Sequence, residues 1–327
     1  MAIRFSILEP NFDSFFDRAV PGRPALLRIR LKVILIPLDP TTPWARAGHS
    51  SKLPGAPPGP LPPWRLAANQ AGVKRGNVLD ASGQAVSCQT WLASEWPQFT
   101  RRFKHSVENA WNNQMVFLPV ESGDPAESLS DADFRQMIGN PRMPAHVEGA
   151  LEIDLQGPGA AAHAIIEVAH LANPGATFRD RMTRITDESV HFSPHAFTFG
   201  ASRGIGGDTG QITAAHEVGH WLRSPGEKVF EHIDRQYALT LPPAQQDDAQ
   251  YGRMLGRFQS MMGGGSVVGD QEATPWITRL RRHTSMKTGW VFVHKLRFHW
   301  SPDDVSARQK RLLLAEKFLP EVLRSAP

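Results

Sequence analysis

Between Leu27 and Leu35 apolar and basic residues alternate as Leu27-Arg28-Ile29-Arg30-Leu31-Lys32-Val33, the period-two pattern of a strand with one buried and one wet face. Pro37 and Pro40 end it. From Pro97 to Asn113 the period changes. Phe99, Phe103, Val107 and Trp111 recur on one helical face, with Pro97 in the first turn, so a helix is predicted here. Met115-Val116-Phe117-Leu118 follows as a buried strand. Leu151 to Leu155 alternates again, Gly157-Pro158-Gly159 turns, and His163 to Leu171 and Val190 to Phe199 read as further strands. Leu312, Leu313, Leu314, Phe318 and Val322 predict a closing helix over Val305 to Arg324. Strands and one helix thus come first and mainly helical sequence last, without internal repeats. The fold class expected is α+β.

Six prolines and two glycines fall between Pro54 and Pro63, a composition that favours extended chain over a packed core. The expected division is an N-terminal strand and Pro-rich extension over residues 1–65 and a main domain over residues 66–327. With 327 residues and 41% hydrophobic content, the chain can bury a sizeable core. The single cysteine, Cys88, excludes an internal disulfide framework and a Cys-rich metal site, and reads as a buried structural residue. No run approaches the roughly 18 apolar residues of a membrane-spanning helix. Met1-Ala2-Ile3-Arg4-Phe5 lacks the pattern of a signal peptide, so the expected location is the cytoplasm of the producing cell. The net charge of +4 is small for the length. Its densest groups, Arg101-Arg102-Phe103-Lys104 and Arg279-Leu280-Arg281-Arg282, read as solvated helix faces, and no specific nucleic-acid contact is expected.

Chemistry concentrates at Ala215-His216-Glu217-Val218-Gly219-His220-Trp221-Leu222, which reads His-Glu-x-x-His within an expected helix. Residues four apart share a helix face, so the imidazoles of His216 and His220 can grip one ion. Glu217, about 100° around from His216, is left clear of the ion and within reach of a water bound to it. Asp208-Thr209-Gly210-Gln211 fits a capping box ahead of the helix. Ile212, Ala215, Gly219 and Leu222 supply its packing face, and Ser224-Pro225-Gly226 stops it.

These residues resemble the zincin metallopeptidases. The resemblance implies a mixed sheet packed on the helix that carries the two histidines and the glutamate, a Zn²⁺ cofactor held by His216 and His220, and Glu217 as general base in peptide hydrolysis. Gln259-Ser260-Met261-Met262-Gly263-Gly264-Gly265 is similar to the methionine turn that packs beneath the metal in several bacterial zincins. The metzincin pattern would need glycine at 223 and histidine at 226, where this chain has Arg223 and Gly226, so the third ligand must come from elsewhere. Zincins of the glutamate type take it from a later helix. Thr274-Pro275-Trp276-Ile277 looks like the first turn of one, which puts Glu272 first among the candidates. His283 and the nearer Glu227, Glu231, His232 and Asp234 are the alternatives.

His163, His170, His191 and His195 read as sheet or surface residues, although one of them, or Tyr237 or Tyr251, is a candidate to steady an oxyanion. A strand within Val190 to Phe199 is expected to bind a protein or peptide substrate by edge pairing. The whole is similar to metallopeptidase effectors that bacteria export through contractile or type VI injection machines, which implies a toxin with a secretion-machine component and an immunity protein as partners. Two other readings stand beside it: a catalytically silent zincin-like module that binds peptides, against which Glu217 argues, and a basic adaptor for nucleic acid or cell envelope.

Overall fold

The alternating segment at Leu27 builds the middle of the molecule. A computed structural model describes residues 4–18, 24–41, 75–80, 83–120, 146–176, 178–194, 210–223, 230–251, 260–284 and 289–295. In chain order the strands are β1 (Arg4–Ile7), β2 (Asp13–Asp17), β3 (Ala25–Pro37), β4 (Arg75–Leu79), β5 (Ala85–Gln89), β6 (Met115–Val120), β7 (Val147–Leu155), β8 (Ala164–Leu171), β9 (Arg184–Thr186), β10 (Phe192–Pro194), β11 (Gly210–Ile212) and β12 (Gly289–His294). The helices are α1 (Trp96–Trp111), α2 (Thr213–Gly219), α3 (Arg235–Ala238), α4 (Pro243–Gln250) and α5 (Asp270–Thr284).

Ten strands form one mixed sheet in the order β12-β6-β7-β3-β8-β5-β4, with β2 also on β3, β1 on β2, and β9 on β8. β3 runs parallel to β7 and β8, and the outer pairs β12–β6 and β5–β4 are antiparallel. The class is therefore α+β, as the pattern predicts. Residues 25–33 pair with 147–155 and residues 33–37 with 164–168, so the strand assigned to an N-terminal extension lies inside the main sheet. Its buried side chains, from Ala25 and Leu27 to Val33, join one core with α1 and α2. On the other face Arg28 pairs with Asp17, Arg30 with Glu152 and Lys32 with Asp13.

α1 lays its predicted stripe of Phe99, Phe103, Val107 and Trp111 into this core. Burying each such side chain contributes about 1.5–3 kcal/mol. Beyond the pairing of β6 with residues 147–149, α1 supplies partners to β7: Asn112 Oδ1 accepts from Leu151 N at 2.7 Å and Glu108 Oε1 from Ile153 N at 2.8 Å. Its last residue reaches α2, where Trp111 Nε1 donates to Ala215 O at 3.0 Å.

Several expectations shift. α5 begins at Asp270, ahead of Thr274, and carries Pro275 inside it. Trp276 stacks on Trp111 with centroids 5.8 Å apart. Arg279 is not a solvated cation: it is 1% exposed, paired with Glu9 and set 4.5 Å over the Phe12 ring. Val190 belongs to a 3-10 turn (Asp187–Val190), and among the described residues the strand after it is Phe192–Pro194, paired with β11 in a sheet of its own; the rest of the expected strand, residues 195–199, lies outside them. Cys88 is buried, and burial pushes its thiol up to about 11. The Pro-rich segment and the expected C-terminal helix lie outside the described residues. Among the described residues no helix is long and apolar enough to cross a membrane.

Candidate metal centre

β11 runs directly into α2, with Ile212 in extended conformation at the helix N-cap. The capping box expected at Asp208 to Gln211 is not what starts the helix: Asp208 lies outside the described residues, and the Gln211 amide is used elsewhere. Its Nε2 donates to Gly263 O at 3.0 Å and lies 3.4 Å from Met261 O and Gly265 O, which ties β11 to the methionine turn. Past Gly219 the helix tightens, as Trp221 N donates to Val218 O and Leu222 N to Gly219 O, both at 2.9 Å.

Gly219 is the point of closest approach. A Cβ there would meet Met262 Sδ well inside contact distance and Trp111 Cζ2 at 3.0 Å. The methionine can bend away, but the indole is held by its bond to Ala215 O. Gly219→Ala is accordingly expected to cost about 1–3 kcal/mol of stability, the range for an overpacked core. Denaturant unfolding measures this, and an unchanged midpoint would show that helix and turn do not pack this closely.

Three imidazoles converge above this packing. His216 and His220 come from α2, and His232 from the segment that follows; one ligand atom from each lies within 4.8 Å of the others. The rings of His216 and His220 are perpendicular, with centroids 4.9 Å apart, and His232 stands at 84° to His220 with centroids 4.7 Å apart. Each ring places Nδ1 against a carbonyl oxygen: His216 on Met261 O at 2.8 Å, His220 on Phe230 O at 2.5 Å, and His232 on Gln250 Oε1 at 3.1 Å. A carbonyl only accepts, so Nδ1 carries the proton in His220 and His232 and Nε2 carries the lone pair, while His216 Nδ1 lies between Met261 O and Gln211 Nε2, the latter at 3.1 Å. Histidine ligands are held in this way, by a carbonyl or carboxylate behind the ring. His232 Nε2 is buried without a hydrogen-bond partner. Burial also pushes the pKa of His220 down to about 4 and that of His232 to about 3, so both rings are neutral at pH 7. An ion would satisfy the lone pairs that this packing withdraws from water.

His232 is held by backbone bonds on both sides. Phe230 N donates to His220 O at 3.0 Å, Ile233 N to Met262 O at 3.1 Å and Asp234 N to Gln250 O at 3.1 Å. Glu217 sits on α2 beside His216 and keeps 8% exposure. Burial, helped by the nearby Asp180 and opposed by Arg181, holds its carboxyl well above the usual carboxylate range. The Tyr251 ring lies 4.4 Å from that of His232 and 5.9 Å from that of His216.

Glu272, placed first by sequence as the third ligand, belongs to the turn beneath the centre. It is fully buried, Oε2 accepts from Gly269 N at 3.0 Å, and Oε1 accepts from Met262 N at 3.1 Å and from Ser260 Oγ. An acidic residue in the first turn of α5 thus caps its own helix and pins the methionine turn. His283 is likewise elsewhere, with Nε2 2.9 Å from Ser14 Oγ and its ring stacked on Phe16. Of the nearer alternatives, His232 joins the cluster; Glu231 is exposed beside Arg235, Asp234 is buried outside the cluster, and Glu227 lies outside the described residues.

The other histidines pack structurally. His163 Nδ1 accepts from Lys32 N at 3.0 Å, His170 stacks on Trp91, and His191 is exposed beside Arg102, while His195 lies outside the described residues. Sequence reasoning did not single out Gln211 or Gln250 as supports, since an isolated glutamine carries no motif. No family model matches the chain, and neither a curated protein nor a solved structure does. The geometry therefore carries the functional argument.

Proposed function

We propose that the chain is a zinc-dependent peptidase of zincin type, with the metal held by His216, His220 and His232. The observation that carries this is the set of three imidazoles, each with Nδ1 on a carbonyl oxygen and each offering a ligand atom within 4.8 Å of the others, beside Glu217, which is not part of the cluster. An all-imidazole donor set suits zinc among the available ions, and three protein ligands leave a position open. A bound Zn²⁺ supplies Lewis acidity, bringing the pKa of a coordinated water to roughly 7 and polarising a carbonyl. Glu217 takes the proton of the attacking water and hands it to the leaving amine, a role that its raised pKa suits. Tyr251 is the aromatic donor nearest the histidines and is assigned to the developing oxyanion. β10, paired with the strand that enters α2, is the edge assigned to an extended substrate.

The test is elemental analysis of the purified full chain together with peptide hydrolysis before and after chelation. About one zinc per chain, and hydrolysis lost with the metal and regained on adding zinc, are expected. Zinc retained by the His216→Ala, His220→Ala double variant, or hydrolysis indifferent to chelation, would overturn the reading.

A further inference from the structure

The two parts of the histidine cluster are anchored differently. α2, which carries His216 and His220, puts Ala214, Ala215 and Val218 into the hydrophobic core, and Trp111 and Met262 close against it. His232 belongs instead to the stretch that runs through α3 and α4. Of residues 230–251, Phe230 alone among the described side chains joins a hydrophobic core. Its backbone is tied twice to His220, since Phe230 N donates to His220 O and Phe230 O accepts from His220 Nδ1.

Past Phe230 the anchorage is polar. α3 has 4 residues and α4 has 8, lengths at which a helix is marginal by itself. Leu239, Pro242 and Pro243 are exposed between them. Gln250 draws the stretch together: Oε1 accepts from His232 Nδ1 at 3.1 Å and from Arg235 Nη1 at 3.2 Å, and its main-chain O accepts from Asp234 N at 3.1 Å. Ile233 N on Met262 O at 3.1 Å and Gln271 Nε2 on Glu231 O at 3.2 Å join it to the turn and to α5. In this position His232 Nε2 is buried without a hydrogen-bond partner, a cost that an ion at that nitrogen removes. Few apolar contacts together with such a cost put a segment at the low end of local stability.

We infer that residues 231–251 form a strap locked by the metal, closing as one unit over a half-site that His216 and His220 hold ready on the body of the protein. Phe230 is the fixed end and Gln250 the clasp. Tyr251, whose ring lies 4.4 Å from that of His232, is carried with the strap. This rests on the metal assignment of the peptidase reading and adds a conformational consequence to it: metal occupancy decides whether the third ligand and the tyrosine are in place.

The experiment is hydrogen exchange of the full-length chain, read by mass spectrometry of its fragments, with chelator and with zinc alone at about 100 times its dissociation constant. Zinc is expected to slow exchange in residues 231–251 by about tenfold or more while α1 and α2 change less than about threefold, because a ligand protects only what opens when it leaves. In His232→Ala, zinc should give the strap no protection, and unchanged exchange in α1 shows that the variant is folded. Gln250→Ala should release zinc to excess chelator about tenfold faster, as expected for losing a group that orients a ligand. Zinc bound without slower exchange in the strap overturns the inference. So does equal slowing throughout the chain, which would mean that the strap opens only with the whole fold, and so does full zinc protection in His232→Ala. Zinc-dependent hydrolysis with an unresponsive strap sinks the strap alone. A strap that locks in a protein without hydrolysis sinks the peptidase reading and leaves the strap standing, and a chain that takes up no zinc sinks both.

Discussion

His232→Ala is expected to weaken zinc binding far more than any change at Glu272. Losing a residue that merely orients a ligand costs about 10- to 100-fold in metal affinity, so losing the ligand itself should exceed the upper end of that range. The reason is geometric. His216 and His220 sit on one short helix, and without His232 they leave two imidazoles where a zinc site needs three. Glu272→Ala removes the acceptor of Gly269 N and Met262 N, and each orphaned donor costs about 1–3 kcal/mol. Its effect should thus appear in unfolding midpoints, with Glu272→Gln milder, while affinity in the folded protein stays within a few fold. Competition against a chromophoric chelator under one buffer measures all three. High affinity in His232→Ala together with a large loss in well-folded Glu272→Gln would return the glutamate to the metal. Gln250→Ala should fall between, because Gln250 Oε1 only orients the His232 ring.

Glu217→Gln is expected to keep zinc and fold while hydrolysis falls by on the order of 10² to 10⁴, the range for a missing general base. The carboxyl is buried and absent from the histidine cluster, so the nearly isosteric amide replaces it without a change in packing or ligation. Single-turnover hydrolysis and zinc content, measured on the same preparation, separate the two roles. If the chain acts as an exported toxin, toxicity should fall in step with hydrolysis. Full toxicity in a folded, inactive variant would instead favour the module that binds peptides without cutting them.

The period-two run at Leu27 and the one-faced stripe of α1 were legible because each reflects a local constraint, the direction in which successive side chains point. Close packing of the glycine-rich turn at 260–265 was legible for a related reason. Its glycines allow tight chain packing, and Met262 does lie against Gly219 beneath the histidines. The Pro-rich segment misled the division of the chain. Composition reports local stiffness, whereas the membership of β3 in the sheet depends on pairing with residues 147–155 and 164–168.

The same boundary runs through the candidate site. Sequence alone determined that His216 and His220 share a face with Glu217 beside them, since the pitch of a helix fixes residues four apart. It put Glu272 ahead of His232, whereas the cluster in the folded chain contains His232. That outcome depends on Phe230 N reaching His220 O, Ile233 N reaching Met262 O and Asp234 N reaching Gln250 O, bonds between segments distant along the chain that form only when the core closes. Closure also turned Glu272 inward to satisfy the backbone of its own helix and turn, because a buried carboxylate takes the N–H donors that surround it. Tertiary packing therefore decided which of two plausible side chains meets the two histidines.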